Sequence, residues 1–163
     1  MLLTKSPPIP TFETNMKKLL IAFLCLVGFT QCNNKVYSLQ NLPKQFIEIG
    51  SYGGFTGMQE SYFLMPNGQR FFNNSMPGDT NFSNAIEIER AEPKVFKEAI
   101  KDLKKMDFDK IDLNENGNMN YFIRLKKKKE EQQVVWSNMD TAPAELVSFY
   151  KTSIKNLKTD AIQ

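Results

Sequence analysis

One segment of the sequence has the spacing of a metal-binding loop. Residues 112–117 read Asp-Leu-Asn-Glu-Asn-Gly, which places Asp112, Asn114 and Asn116 where a calcium loop carries its first ligands. Such a loop closes on a glutamate six residues after its glycine, but Ile123 stands at that position. Because only one of the three positions carries a carboxylate, we interpret the segment as an Asn/Gly turn. We predict neither a metal nor a cofactor for the chain.

Few residues in the sequence are suited to catalysis. Histidine is absent. Carboxylates occur in two close pairs, Glu87 with Glu89 and Asp107 with Asp109, and paired carboxylates can perform acid–base chemistry. Both pairs lie on charged segments that predict exposure to solvent, without an apolar or basic pocket around them. We therefore predict that the protein is not an enzyme.

The N-terminal region has the features of an export signal. Met16-Lys17-Lys18 is a short basic start, and an apolar run from Leu19 to Phe29 follows it. This run is too short to span a bilayer as a helix. Residues 1–15 match no part of such a signal. We interpret Met16 as the true start, and the residues before it as the product of a start codon assigned too far upstream.

Cys32 stands just past the apolar run and is followed by polar residues. This arrangement resembles a bacterial lipoprotein signal over residues 16–31, in which the cysteine becomes the lipidated first residue of the mature chain. The resemblance implies a lipid on Cys32 that anchors the protein to a membrane of the cell envelope. Secretion as a soluble protein without lipid is the alternative. Cys25 leaves with the signal, so a lipidated Cys32 leaves no thiol for a metal site or for catalysis.

The processed chain carries little net charge. The whole sequence has a formal charge of +3, and processing removes three lysines and one glutamate, which leaves about +1. Because a nucleic-acid-binding domain is usually strongly basic, we predict no nucleic-acid partner. Residues 32–43 are mostly polar and are predicted to form a tether, and residues 44–163 are predicted to form a single domain.

The most unusual stretch is a glycine-rich elbow that contains Gly53, Gly54, Phe55, Thr56 and Gly57. Three glycines so close together indicate positive φ angles, a bulge or a close approach of backbone. In one interpretation, the elbow is a tight hairpin with Phe55 folded into the core. In the other, it is a rigid exposed loop that presents Phe55 and Thr56 to a protein partner. It lacks the lysine and the following helix of a phosphate-binding loop.

Hydrophobic periodicity predicts the order strand, strand, strand, helix, strand, strand, helix. The predicted strands cover residues 45–49, 58–65, 70–73, 119–126 and 133–137, and the predicted helices cover 92–106 and 143–157. Residues 85–89 alternate and are compatible with a short edge strand. This order indicates an α+β fold, in which two helices pack on one face of an antiparallel sheet. Leu103 and Trp136 are predicted to lie in its core.

Aromatic residues are numerous, and most of them occupy predicted core positions. Phe55, Phe72, Phe82 and Phe122 fit the core pattern less well. The hypothesis for these four is an exposed aromatic patch that contacts a partner.

The order of elements resembles the emfourin-like family of small proteins that inhibit thermolysin-like metallopeptidases. The residues that carry the resemblance are Gly53-Gly54-Phe55-Thr56-Gly57, Tyr121-Phe122-Ile123, Val134-Val135-Trp136 and the helix over 143–157. It extends over residues 46–157. Small lipoproteins of Gram-negative bacteria are also similar. The resemblance implies an inhibitor whose partner is a secreted or periplasmic peptidase.

Taken with the signal, these features predict a lipid-anchored, non-enzymatic protein-binding module of the cell envelope, with peptidase inhibition as its activity. A structural or assembly lipoprotein is the alternative. A small-ligand carrier that uses the aromatic face of the sheet is a third hypothesis. An apolar pocket between sheet and helices would favour the carrier, and a filled core with an exposed Phe55 would favour the binding module.

Overall fold

A computed structural model describes residues 35–159, and in this range the chain forms six strands and two α-helices. In chain order they are β1 (Gln45–Gly53), β2 (Gln59–Leu64), β3 (Arg70–Ser75), β4 (Ile86–Ile88), α1 (Pro93–Lys105), β5 (Met119–Lys127), β6 (Glu130–Trp136) and α2 (Ala144–Thr159). A short 3₁₀ turn, Phe108–Lys110, follows α1. The residues compatible with an edge strand do form one, β4.

The strands form one antiparallel sheet in the order β4-β3-β2-β1-β5-β6. β1 is central, and five consecutive residues of it are buried because both faces of the sheet are covered. The sequence-based prediction of an α+β fold with both helices on one face of an antiparallel sheet is confirmed.

The face of the sheet that carries Ile47, Ile49 and Ile123 packs against both helices, and we call it the helix face. Phe96 and Leu103 of α1 and Leu146 of α2 contribute to the same core, as does Trp136 of β6. Leu103 and Trp136 are almost completely buried, which confirms their predicted core positions. Large apolar side chains at the helical and strand periods thus meet in one layer, and the hydrophobic effect holds the layer together.

The opposite face, which we call the back face, carries Phe46, Phe63 and Phe71. Tyr37, Leu39 and Leu42 from the N-terminal segment pack on this face, and so do Phe82 and Ala85 from the loop between β3 and β4. The prediction of a tether over residues 32–43 is therefore wrong for the part that the structure describes, residues 35–43. Tyr37, Leu39 and Leu42 are buried or half-buried because the back face has apolar surface to cover, whereas Val36 in the same segment is exposed.

The turn between β2 and β3 shows how closely the fold constrains some glycines. Gly68 has a φ of +85°, as its Asn-Gly sequence predicts. A Cβ atom at Gly68 would lie 2.0 Å from the carbonyl oxygen of Ala91. The Ala91 N–H also donates to the Gly68 carbonyl across 2.9 Å, so this turn supports the entry to α1.

The hypothesis of an exposed patch of four phenylalanines is wrong for three of them. Phe122 is buried on the back face. Phe72 packs on Tyr62 with ring centroids 5.0 Å apart, and Phe82 packs edge-on against Phe63 at 5.6 Å. Neighbouring strands and the loop between β3 and β4 cover these rings. Phe55 is the member of the set that is exposed.

Candidate functional site

The glycine-rich elbow connects β1 to β2, and its backbone is fixed by hydrogen bonds. The Gly53 N–H donates to the Met58 carbonyl at 3.2 Å, and the Gly57 N–H donates to the Gly54 carbonyl at 3.3 Å. The Met58 N–H donates to the hydroxyl oxygen of Thr56 at 3.3 Å. The Thr56 side chain therefore helps to hold the turn that contains it, a role that Ser and Thr commonly have in turns.

All three glycines of the elbow have positive φ angles, +106° for Gly53, +68° for Gly54 and +64° for Gly57. A Cβ atom at Gly53 would lie only 2.3 Å from the carbonyl oxygen of Asn118. Around Gly57 no atom lies within 4 Å of the position of a Cβ. Glycine is required at Gly53 by both its conformation and its packing, and at Gly57 by its conformation alone.

Phe55 lies at the tip of the elbow, and its side chain is fully exposed, at 107% of the reference area. The interpretation that placed this ring in the core is therefore wrong. The loop is too tight to fold the ring back, because positive φ angles and turn hydrogen bonds on both sides direct it outward. Met119 is 40% exposed, and its methyl group lies near Gly54. The elbow thus presents one aromatic ring beside a second apolar side chain.

The calcium-loop-like segment has a different role in the structure. The Leu113 carbonyl accepts the Val135 N–H at 2.9 Å, and the Glu115 N–H donates to the Val135 carbonyl at 3.0 Å. Asn114, between Asp112 and Asn116, pairs with Val135 in an isolated parallel bridge. The segment therefore covers part of the exposed edge of β6, a common way to protect an edge strand.

The side chain of Glu115 also forms hydrogen bonds at the end of this edge. Its carboxylate accepts the N–H of Ser137 at 2.8 Å and the Ser137 hydroxyl at 2.9 Å, and these bonds lower the pKa of Glu115. Among residues 35–159, no three His, Cys, Asp or Glu side chains lie close enough together to hold a metal ion.

The predicted carboxylate pairs form ion pairs on the surface. Glu87 lies 3.3 Å from Arg90, and Asp107 lies 3.1 Å from Lys110. Asp109 lies 3.1 Å from Lys127, an interaction that links the 3₁₀ turn to β5.

A cavity of about 710 Å³ lies on the back face, under the loop between β3 and β4. We call it the back-face cavity. Its lining includes the aromatic rings of Tyr52 and Phe122, the amides of Gln59 and Gln133, and the charged pair Glu48 and Arg124. This size and this mixture of aromatic and polar groups fall within the usual range for small-molecule sites.

Glu48 is buried to 99% in the middle of β1 and forms an ion pair with Arg124 of β5. The Gln59 amide donates to the same carboxylate at 3.3 Å. Burial raises the pKa of Glu48, and Arg124 opposes this effect only in part. Arg124 also lies 3.5 Å from Glu131. Among the described residues, its Nε atom is buried without a hydrogen-bond partner.

The sequence contains a signal for this pair, although neither residue stands out in it as a candidate site. The alternation within β1 places Glu48 on the same face as Phe46, and a carboxylate on a strand buried on both faces needs a partner. Arg124 holds the matching position on β5, because the antiparallel register pairs it directly with Glu48.

No protein-family model matches the chain, and a comparison with curated proteins gives no significant match. Residues 35–159 contain no helix that is long and apolar enough to cross a membrane. Cys32, the predicted site of lipidation, and the predicted signal over residues 16–31 lie outside the described residues.

Proposed function

We propose that the protein is a non-enzymatic, lipid-anchored binding module of the cell envelope, which contacts a protein partner through the elbow at residues 53–57. The observation that carries this proposal is the full exposure of Phe55 on a loop whose backbone is fixed. Exposed aromatic rings cost free energy in water, and rings of this kind supply much of the binding energy at protein interfaces. A loop that is already ordered loses little conformational entropy on binding.

The packing of the helix face supports a binding module more than a carrier with its ligand under the helices. Leu103, Trp136 and Leu146 are all nearly inaccessible in this layer. The core between sheet and helices is thus filled by the protein's own side chains, and a filled core together with an exposed Phe55 favours a binding module.

For the partner, we propose a secreted or periplasmic thermolysin-like metallopeptidase that the chain inhibits. The support for this choice is the emfourin-like resemblance, whose Gly-Gly-Phe-x-Gly residues form the elbow. The test is an inhibition assay on a panel of such peptidases, with the purified chain from Asn33 to Gln163. We expect the wild type to slow at least one of them.

Variants of Phe55 and Ile86 make this assay specific for the elbow. Phe55→Ala should weaken inhibition by at least about 2 kcal/mol, the size of an interface hot spot, and leave the folded state intact. Ile86→Ala is the matched control, because Ile86 is also an exposed apolar residue, 57% accessible, but lies on the outer strand β4. Equal effects of the two variants would argue against the elbow as the contact surface. If the well-folded wild type inhibits no peptidase, a structural or assembly lipoprotein becomes the better hypothesis.

The anchor is tested separately by Cys32→Ser. We expect the wild-type protein in the membrane fraction and the variant in the soluble fraction. A wild type that is already soluble would contradict the anchor and favour the secreted alternative.

The back-face cavity favours a second candidate function, a carrier of a small polar ligand. This hypothesis places the ligand on the aromatic side of the sheet, between Tyr52 and the loop over β3. A thermal-shift screen of small sugars, amines and amino acids tests it. A true ligand should raise the melting temperature of the wild type and have a clearly smaller effect on Tyr52→Ala. A screen without any such compound would argue against the carrier.

A further inference from the structure

A second concave surface lies at the other end of β1 from the elbow. It has a volume of about 780 Å³ and is formed by the start of β1, the helix α1 and the hairpin between β5 and β6. We call it the basic concavity, because its lining includes Lys44, Lys104, Lys127, Lys128 and Lys129 with Glu130 as the one acidic lining residue.

The charges around this surface are not balanced. Lys127 lies 3.1 Å from the carboxylate of Asp109 and is paired. Within the part of the chain that the structure describes, none of the other four lysines forms an ion pair. Even when Asp109, the partner of Lys127, is counted with the lining residue Glu130, two carboxylates stand against five ammonium groups. A concave surface concentrates the positive potential that results.

The lysines come together through the fold and not through the sequence alone. Residues 127–129 belong to a run of four lysines at the end of β5, and Lys104 lies on the exposed side of α1. The N–H of Lys128 donates to the carbonyl of Lys44 at 2.6 Å, so the hairpin tip is fixed against the start of β1. The surface is thus built from three segments with a defined geometry.

The conformation of Lys128 is an independent sign that a lysine there serves something other than stability. Lys127 pairs with Glu130, so Lys128 and Lys129 form a two-residue hairpin connection. Lys128 has a φ of +55°. Hairpin connections of this length strongly favour Gly, Asn or Asp at positions with positive φ. A lysine at this position is unfavourable for the backbone, and such exceptions are concentrated at functional positions.

We propose that the basic concavity binds the phosphate groups of an anionic ligand. Lysine ammonium groups bind phosphate oxygens as point charges, each with three hydrogen-bond donors. Two sources share this chemistry, a soluble molecule with several phosphates and the phospholipid headgroups of an anionic membrane. The site lies at the opposite end of β1 from Phe55, so it does not depend on the function proposed for the elbow.

The test uses the full chain and two probes. Inorganic tripolyphosphate is titrated calorimetrically, with citrate as a polyanion that lacks phosphate. Co-flotation is measured with phosphatidylcholine vesicles with and without phosphatidylglycerol, and the difference between the two vesicles removes any contribution of the chain's own anchor. The variant is Lys104→Gln with Lys129→Gln. The matched control is Lys151→Gln with Lys155→Gln, because α2 contributes no residue to the lining.

We expect the wild type to bind at least one phosphate probe, with an affinity that falls as salt is added. The Lys104/Lys129 variant should bind about 25-fold more weakly, since each lysine contributes about a factor of five at an anionic surface. The Lys151/Lys155 control should stay close to the wild type. Binding of tripolyphosphate in solution assigns a soluble ligand, and binding that requires phosphatidylglycerol assigns a headgroup.

Three outcomes would overturn the proposal. The first is that neither tripolyphosphate nor phosphatidylglycerol binds. The second is that both double variants weaken binding equally, because general charge and not the concavity would then be responsible. The third is that citrate binds as tightly as tripolyphosphate, because the preference for phosphate would then be absent.

Discussion

Gly54 donates its N–H to the carbonyl of Asn118 across 2.6 Å, and this bond ties the elbow to the residue that precedes β5. The elbow is therefore part of the sheet and not a free loop. Because Gly53 pairs with Met119 in the adjacent register, the β1–β5 ladder continues to the base of the elbow. The position of Phe55 consequently depends on the backbone conformations of Gly53 and Gly54.

The first prediction compares two glycines of the elbow. Gly53→Ala should lower the free energy of unfolding by more than about 2 kcal/mol, because the added Cβ would combine a strained backbone with a clash against a carbonyl. Gly57→Ala should cost only about 1–2 kcal/mol, the price of a left-handed conformation in open space. Chemical denaturation of both variants checks this. Equal losses would mean that the contact between Gly53 and Asn118 does not constrain the chain.

The sequence predicted the glycine geometry of the elbow but not the position of Phe55. Positive φ angles follow from the clustering of glycines, since no other residue tolerates them as well. The direction of the ring depends on a hydrogen bond to Met58, directly after the elbow, and on one to Asn118, which lies far along the chain. The sequence of the elbow alone does not reveal the contact with Asn118. Apolar rings are buried more often than they are exposed, and this general rule favoured the interpretation of Phe55 as a core residue.

The second prediction concerns the core on the helix face. Leu103→Ala should cost about 2–5 kcal/mol and Trp136→Ala about 3–5 kcal/mol, because both side chains are enclosed and their removal leaves cavities. Val95→Ala on α1 is the control, since Val95 is 39% exposed and its truncation should change stability by no more than about 0.5 kcal/mol. Melting curves give the comparison. A large loss for Val95→Ala would contradict the assignment of helix faces.

The helix face was predictable because its residues recur at the periods of 3.6 and 2 that place side chains on one side of an element. The packing of the N-terminal segment on the back face was not predictable from such periods. Tyr37, Leu39 and Leu42 are spaced among polar residues without either period, so the segment resembles a tether until the apolar face beneath it is known. The Glu48–Arg124 pair joins strands that are distant in sequence, and the pairing of β1 with β5 had to be known first.

The third prediction is a pH dependence that originates at Glu48. Burial raises the pKa of this carboxyl above its ordinary value of 4.5 in the unfolded chain. The folded protein therefore binds this proton more tightly than the unfolded chain does. The stability that the bound proton contributes is complete below about pH 4.5, and it is lost as the pH rises through the pKa of Glu48 in the folded state.

Glu48→Gln removes this titration and keeps the shape of the side chain. The stability of the variant relative to the wild type should therefore increase as the pH rises from 4 towards neutrality, on the order of a few tenths to a few kcal/mol. Unfolding measured across this range for both proteins checks the sign. A difference that shrinks with rising pH would show that Arg124 dominates and lowers the pKa of Glu48.

The last prediction separates stability from binding at Lys128. Lys128→Gly should raise the free energy of unfolding by roughly 1 kcal/mol or less, because glycine adopts a φ of +55° without the steric cost that a lysine side chain imposes. Lys129→Gly, on the neighbouring residue of the same turn, is the control. It removes the same charge but relieves no positive φ, so it should not stabilise the protein.

If the basic concavity binds phosphate, both variants should weaken that binding about fivefold. Lys128→Gly alone would then raise the stability of the protein while lowering its affinity for tripolyphosphate. A Lys128→Gly protein that is no more stable than the wild type would mean that the backbone at this turn is not under strain, and the conformational argument for a functional lysine would fail with it.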